Sequence, residues 1–268
     1  VLSATIAIIV VIFAISPIVW TALTSLKTEA DIVTLKVRYI PDTLTFENYQ
    51  KLWQQSDYPR LLKNSAIVTG ITVVMSLVIG IFAGYSISRY RFRGRSGLMI
   101  FYLVIRMFPF TLLLIPLFIM LRNLNLFDSH FGLALTYTTF LLPLCVWILK
   151  GFFDGIPPDL EEASRVDGST RLGALVRIVL PLARPGIAAT TVFIAIGAWN
   201  EYLWALLLTT ASGARTWPVG LQLMVGEFQM PWGTLSASGI VSIIPIMIGF
   251  AFVQRALVSG LMTGGVKG

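Results

Sequence analysis

Long apolar stretches recur along the chain at the length a lipid bilayer dictates. A helix needs about 20 mostly apolar residues to cross the hydrocarbon core. Six segments meet that requirement, roughly 1–26, 62–88, 98–121, 131–149, 186–210 and 235–254. Clusters of charge, not long polar domains, separate them. The pattern therefore predicts an all-α fold, a single polytopic membrane domain over 1–268 built as a bundle of about six transmembrane helices. Pro17, Pro109, Pro116, Pro143 and Pro245 fall inside the segments. A bundle tolerates them because neighbouring helices and hydroxyl side chains re-satisfy the carbonyls that a proline frees.

Composition agrees with lipid as the solvent. The chain of 268 residues is 56% hydrophobic and only 12% charged, with a mean hydropathy of +0.81. A soluble domain carries about a quarter of its residues as charges. A net charge of +7 would point to nucleic acid in a soluble protein. Here the basic residues lie in the connections between apolar segments, so they set orientation and no nucleic-acid partner is expected. Cys145 is the single cysteine, which leaves no intramolecular disulfide. The sequence opens on Val1 with no basic region and no small-residue cleavage site. That start is expected to lie within a longer chain and not in a signal peptide.

Short loops fix the orientation. The passage "RYRFRGRSG" carries Arg89, Arg91, Arg93 and Arg95 without an acid, and 150–185 carries Lys150, Arg165, Arg171, Arg177 and Arg184. Short loops on the other side hold only Arg122 and Arg215, while Glu29, Asp31, Asp42, Glu47 and Asp57 offset the basic residues of 27–61. Segments 89–97 and 150–185 and the C-terminal tail are thus expected in the cytoplasm.

The most informative stretch is "PPDLEEASRVDGSTRLGALVRIVLPL", residues 157–182. Pro157 and Pro158 stop what precedes, Asp159 and Glu162 have the spacing of a capping box, and Gly168 supplies a left-handed helix end. A second helix is expected from Ser169, with Leu172, Leu175, Val176 and Val179 on one apolar face as far as Pro181; Pro185 then marks the turn into the fifth span. A helix of about two turns is marginal alone in water. Leu160, Ala163 and Val166 form a small apolar stripe that suits either a groove in another protein or the lipid headgroups.

Glu162-Ala163-Ser164, Gly168 and Ile178-Val179-Leu180-Pro181 together resemble the signature of ABC importer permeases: E-A-A, three residues, G, nine residues, I-x-L-P. Ser164 for the second alanine is the only departure. "RYRFRGRSG", "MFP" at 107–109, "AWNEYLWALLLT" at 198–209 and "GLMTGGVKG" at 260–268 resemble the maltose-type, carbohydrate-importing branch of that family. The resemblance covers most of the chain. It implies the type I importer permease fold in a bacterial cytoplasmic (inner) membrane. It also implies a helix that couples to an ATPase subunit through Glu161, Glu162, Ala163, Ser164, Asp167 and Gly168. The implied partners are a second homologous permease, two ATP-binding subunits that hold ATP and Mg, and an extracytoplasmic solute-binding protein. In that family the external loop, here 211–235, meets the binding protein, and the tail reaches the ATPase pair. No G-x-x-x-x-G-K-[ST] occurs, so the chain itself has no P-loop for ATP phosphates, and no cofactor or metal site is expected in it.

Three polar residues stand in or beside apolar runs. Arg106 is expensive at mid-membrane; it serves either a structural pairing near Pro109 or the transport path. In the second case its planar fork can hold a carboxylate, which implies an acidic sugar such as a uronate oligosaccharide. Asn200 and Glu201 are the other path candidates, beside Trp199 and Trp204, which can stack on sugar rings or anchor the interface. For Glu201 the competing role is a partner that stabilises the bundle. His130, beside Asp128 and Ser129, has no metal-ligand spacing around it.

These features predict a non-catalytic permease subunit for a sugar or oligosaccharide. The alternative, an ion-coupled secondary transporter of a small polar solute, needs buried acids, of which Glu201 is a thin supply. An intramembrane enzyme is disfavoured by the lack of H-E-x-x-H, G-x-S-x-G or a paired acidic cluster in the apolar segments.

Overall fold

The structure is a computed structural model and describes residues 2–34, 39–41, 43–54, 57–210, 213–225 and 230–264; the side chains of Leu2, Ser3, Arg106 and 255–264 fall outside that description. Among the described residues every regular element is helical. Four helices are long and apolar enough to cross a membrane: Ala4–Ser25, Tyr58–Arg89, His130–Asp154 and Trp232–Gln254. A fifth crossing results if Arg171–Leu182 and Arg184–Trp199, which meet at 77°, form one bent span.

Prolines explain where helices continue and where they break. Pro17 sits inside the helix Leu2–Ser25, and the Ser16 hydroxyl donates to the Phe13 carbonyl at 2.9 Å. That carbonyl is the one Pro17 leaves without its amide. Pro109 has the opposite outcome. The third apolar segment is not one helix but two, Arg95–Val104 and Leu114–Asn123, joined through 3₁₀ turns at Ile105–Met107 and Phe110–Leu113. Proline disfavours helical backbone at the residue before it, and Phe108 is extended at φ −70°, ψ 133°. Pro116 lies in the first turn of Leu114–Asn123, where an amide would have no helical partner anyway.

Contacts divide the chain into two compact units, 1–65 with 215–247 and 66–214 with 248–268. In the first, Leu52, Tyr58 and Ala237 form a small core against Leu62, Trp217 and Val241. Side-chain amides and hydroxyls lace its polar backbone. Asn48 donates to the carbonyls of Ser25 and Lys27 at 2.9 and 2.8 Å, and Tyr58 donates to that of Ser238 at 2.6 Å. By contrast, residues 4–20 of the first helix are exposed without exception.

The second unit is organised around a close approach of Tyr58–Arg89 and His130–Asp154. Thr72, Ser76, Gly80 and Gly84 recur every fourth residue, a spacing that lines one helix face with small groups. Cys145 Sγ lies 3.2 Å from the Ser76 carbonyl. A Cβ on Gly80 would collide with that sulfur. One on Gly84 would sit 3.2 Å from the Lys150 amide nitrogen and 3.3 Å from the Val146 carbonyl oxygen, so backbone meets backbone there. Beside the seam, Tyr85, Leu149, Phe153, Leu175, Val179 and Ile194 are buried in one cluster. Gly84→Val should therefore force the two helices apart, with a penalty of about 1–3 kcal/mol for overpacking. Gly70→Val, at an open site on the same helix with nothing within 4 Å, should leave stability unchanged. Thermal midpoints of the two variants in one detergent distinguish these outcomes.

Candidate functional site

The charged passage folds as a helix, a left-handed turn and a second helical segment on the basic side of the second unit. Its first helix runs Asp159–Val166. The expected capping box does not form. Pro158 takes the N-cap position with helical dihedrals, φ −59° and ψ −30°, and no side chain caps the helix. The diproline presets helical φ one residue early, which moves Asp159 inside the first turn. There its charge still complements the amide end of the helix.

The helix ends as the sequence predicts. Gly168 has φ +89°. The Ser169 amide donates back to the Ser164 carbonyl at 3.0 Å, and the Gly168 amide to that of Arg165 at 3.1 Å. A Cβ on Gly168 would meet nothing within 4 Å, so dihedral and not space requires glycine. The second segment starts one residue later than expected, because Thr170 and not Ser169 supplies the cap, accepting from the Gly173 amide at 3.0 Å. It passes through a wide π turn, Leu175–Val179, just before Pro181. The predicted apolar face splits. Leu175 and Val179 enter the core, whereas Leu172 and Val176 are exposed.

Glu161 and Glu162 are neighbours with opposite surroundings. Glu162 is exposed, as are Ala163, Asp167 and Gly168, with Ser164 half-buried. Leu160 and Val166 are 45% and 88% exposed, so the predicted apolar stripe is left uncovered by this chain. Glu161 turns inward. It accepts a hydrogen bond from the Tyr85 hydroxyl at 2.7 Å and pairs with Arg89 Nε, both side chains being about nine-tenths buried. The same guanidinium donates through Nη2 to the Ile156 carbonyl at 2.9 Å. Next to it, Ser88 donates to Asp154 at 2.6 Å, and Asp154 pairs with Lys150. Beyond the Gly168 turn, the Arg171 guanidinium lies over the Tyr90 ring at 5.3 Å. Tyr85 packs edge-on against both Tyr90 and Phe153. The end of helix Tyr58–Arg89, with Tyr90 just after it, thus holds the passage on both sides of its turn. Sequence reasoning took Arg89 as an orientation charge and missed this role. The one available signal was a tyrosine four residues before it, on the same helix face.

The candidate path residues lie apart from this cluster. Arg106 falls in the 3₁₀ turn Ile105–Met107 of the broken segment, and its side chain is outside the described residues. Asn200 is exposed and donates to the Ile196 carbonyl at 3.0 Å. Glu201 caps the short helix Leu203–Leu208, accepting from the amides of Trp204 and Ala205 at 3.0 and 3.2 Å. Those free helix-end amides favour a carboxylate. Trp199 and Trp204 are 4% and 6% exposed. Trp204 stacks on Phe140 with centroids 4.8 Å apart, so that ring is occupied within the protein. Asp128, beside His130, organises the next loop, accepting from the Thr210 amide at 2.8 Å and the Ala214 amide at 3.1 Å. Among the described residues no group of His, Cys, Asp and Glu has the arrangement of a metal site.

Long apolar helices thus carry, on their basic side, an exposed short helix backed by a buried ion pair, as a membrane protein with a docking surface would. The chain belongs to the family of binding-protein-dependent transport system inner membrane components, whose family model matches residues 76–262. It is 39% identical over 262 residues to the trehalose transport system permease protein SugB of Mycobacterium tuberculosis, covering 97% of this chain and 95% of that one. With the sulfoquinovosyl glycerol transport system permease protein SmoH of Agrobacterium fabrum it shares 37% identity over 260 residues, covering 97% and 91% of the two chains. Its fold superposes on a chain of a bacterial ABC transporter involved in the import of the acidic polysaccharide alginate, with a TM-score of 0.79, 26% identity and coverage of 95% and 94%.

The two glutamates should respond differently to removal. Glu161→Ala strands a buried guanidinium, which typically costs about 3–5 kcal/mol, and should lower the thermal midpoint markedly. Glu162→Ala, on the exposed face, should leave it within experimental scatter.

Proposed function

We propose that this chain forms half of the translocation path of an ATP-driven importer for a sugar or oligosaccharide, and that helix Asp159–Val166 docks on an ATPase subunit. The observation that carries the proposal is the uncovered stripe of Leu160, Ala163 and Val166 on a helix whose opposite face is locked to the membrane helices through Glu161. A two-turn helix that projects apolar side chains gains most from a complementary groove. Glu162, Ala163, Ser164, Asp167 and Gly168 form the ATPase-facing surface, while Glu161 supports it from behind. ATP and Mg belong to two partner ATPases, a second permease supplies the other half of the path, and a solute-binding protein delivers the sugar. Accumulating solute ten-thousand-fold requires about 5.5 kcal/mol, which this chain has no P-loop to extract from ATP by itself. ATP-driven closure of the ATPases moves the coupling helices and turns the cavity outward; hydrolysis resets it.

The carbohydrate class follows the relatives, one serving trehalose and another sulfoquinovosyl glycerol. An acidic sugar is the finer reading. It is supported by Arg106 on the broken segment, since irregular backbone at membrane depth is stable where it faces protein or a cavity, and by the likeness to the alginate importer. The ion-coupled alternative loses ground because Glu201, its main carboxylate, is engaged by helix-end amides.

Proline cannot adopt the φ of +89° at Gly168. Gly168→Pro should therefore leave the protein in the membrane yet abolish uptake, assayed with whichever of trehalose and alginate oligosaccharides the native chain transports. Retained uptake would remove the coupling role. Arg106→Gln should impair uptake of acidic sugars more than neutral ones, by about tenfold if one charged hydrogen bond is lost. Equal impairment of both would assign Arg106 to structure.

A further inference from the structure

The covalent routes from helix Asp159–Val166 to its neighbouring membrane helices are poorly suited to carry force. Toward the N-terminus the chain leaves His130–Asp154 through Gly155, Ile156, Pro157 and Pro158, with no helical continuity. Toward the C-terminus it passes the left-handed Gly168, a π turn and a 77° bend. The non-covalent route is shorter. Arg89 spans the diproline connection, with Nη2 on the Ile156 carbonyl and Nε on Glu161. Its planar fork fixes both sites at once, and the Tyr85 hydroxyl adds a second bond to the same carboxylate. One turn of helix Tyr58–Arg89 and the residue after it therefore grip the passage before its turn, at Glu161, and after it, at Arg171 over Tyr90.

We propose that Tyr85, Arg89 and Tyr90 form a two-point clamp that makes the passage 159–171 and the end of helix Tyr58–Arg89 one rigid body. Displacement of the coupling helix is then carried directly into a membrane-spanning helix instead of being absorbed at Pro157–Pro158 or Gly168. Arg89 and Glu161 act as positioning residues through the helix they hold. This rests on the coupling role proposed above, but its test does not.

The test places spin labels on cysteines introduced at Asp159 and Phe82, both exposed, in the full transporter reconstituted in lipid. Cys145 is 1% exposed, so within this chain the introduced pair is what the reagent labels, and the partner subunits are used in cysteine-free form. The probe is ATP with Mg and vanadate, compared with no nucleotide. A rigid clamp predicts one narrow distance distribution that is the same in both states. In the double variant Arg89→Gln/Glu161→Gln, which removes both charges and strands neither, the distribution should broaden and should differ between the two states. Should that variant fail to assemble, Tyr85→Phe is read in the same way and should broaden the distribution in part. A distance that shifts with nucleotide in the native chain would overturn the proposal, because the passage would then hinge on its support. A variant distribution identical to the native one would overturn it as well. Loss of the coupling role through Gly168→Pro would leave the native distance narrow, which separates the two failures.

Discussion

Two helices of the second unit come close enough for backbone to meet backbone, and much of that unit follows from this constraint. Lipid gives apolar side chains no reason to prefer one another to acyl chains, so association depends on fit, and small residues permit the closest fit. Thr72, Ser76, Gly80 and Gly84 supply it on one helix, with Cys145, Val146 and Lys150 opposite. The seam fixes the depth at which Tyr85 and Arg89 emerge next to the end of the facing helix, within reach of Ile156 and Glu161. Without it the buried pair would lack its register, and the two-turn helix on the basic side would lack its support.

That buried pair bears on specificity more than on stability. Removing two charges from water is expensive, and an apolar replacement is often as stable. What an ion pair with a second hydrogen bond supplies is one defined geometry, since few other placements of Glu161 accept from Tyr85 and from an Arg89 that also donates to the Ile156 carbonyl. A helix that must present the same face in every cycle benefits from such a lock. The apolar stripe opposite it can then stay exposed without the helix rolling over to bury it.

Much of this was legible in the sequence, and the rest failed for local reasons. Apolar length located the four helices long enough to cross a membrane, and Gly168 announced its turn because few other residues tolerate that dihedral. The 77° bend between Arg171–Leu182 and Arg184–Trp199 followed from Pro185. The third segment was read as one span, yet its two halves are separate helices, because Pro109 acted on Phe108 as well as on itself. The capping box failed since Pro158, and not Asp159, opened the helix. Which of two adjacent glutamates turns inward was not readable at all. Glu161 and Glu162 differ by one step around the helix, and the choice is made by Arg89, 72 positions away. Glu201 shows the same limit, since its short-range partners are amides of a helix that starts only where the preceding one stops.

The helix seam also hides the chain's one thiol. Cys145 is pressed against Gly80 with its sulfur on the Ser76 carbonyl, and at 1% exposed it is out of reach of reagents. The protein is in effect already prepared for chemical tagging. A cysteine placed anywhere on the outer face of the coupling passage would be the accessible nucleophile of the molecule, so a dye, a cross-linker or a heavy atom can be attached there without first re-engineering the interior.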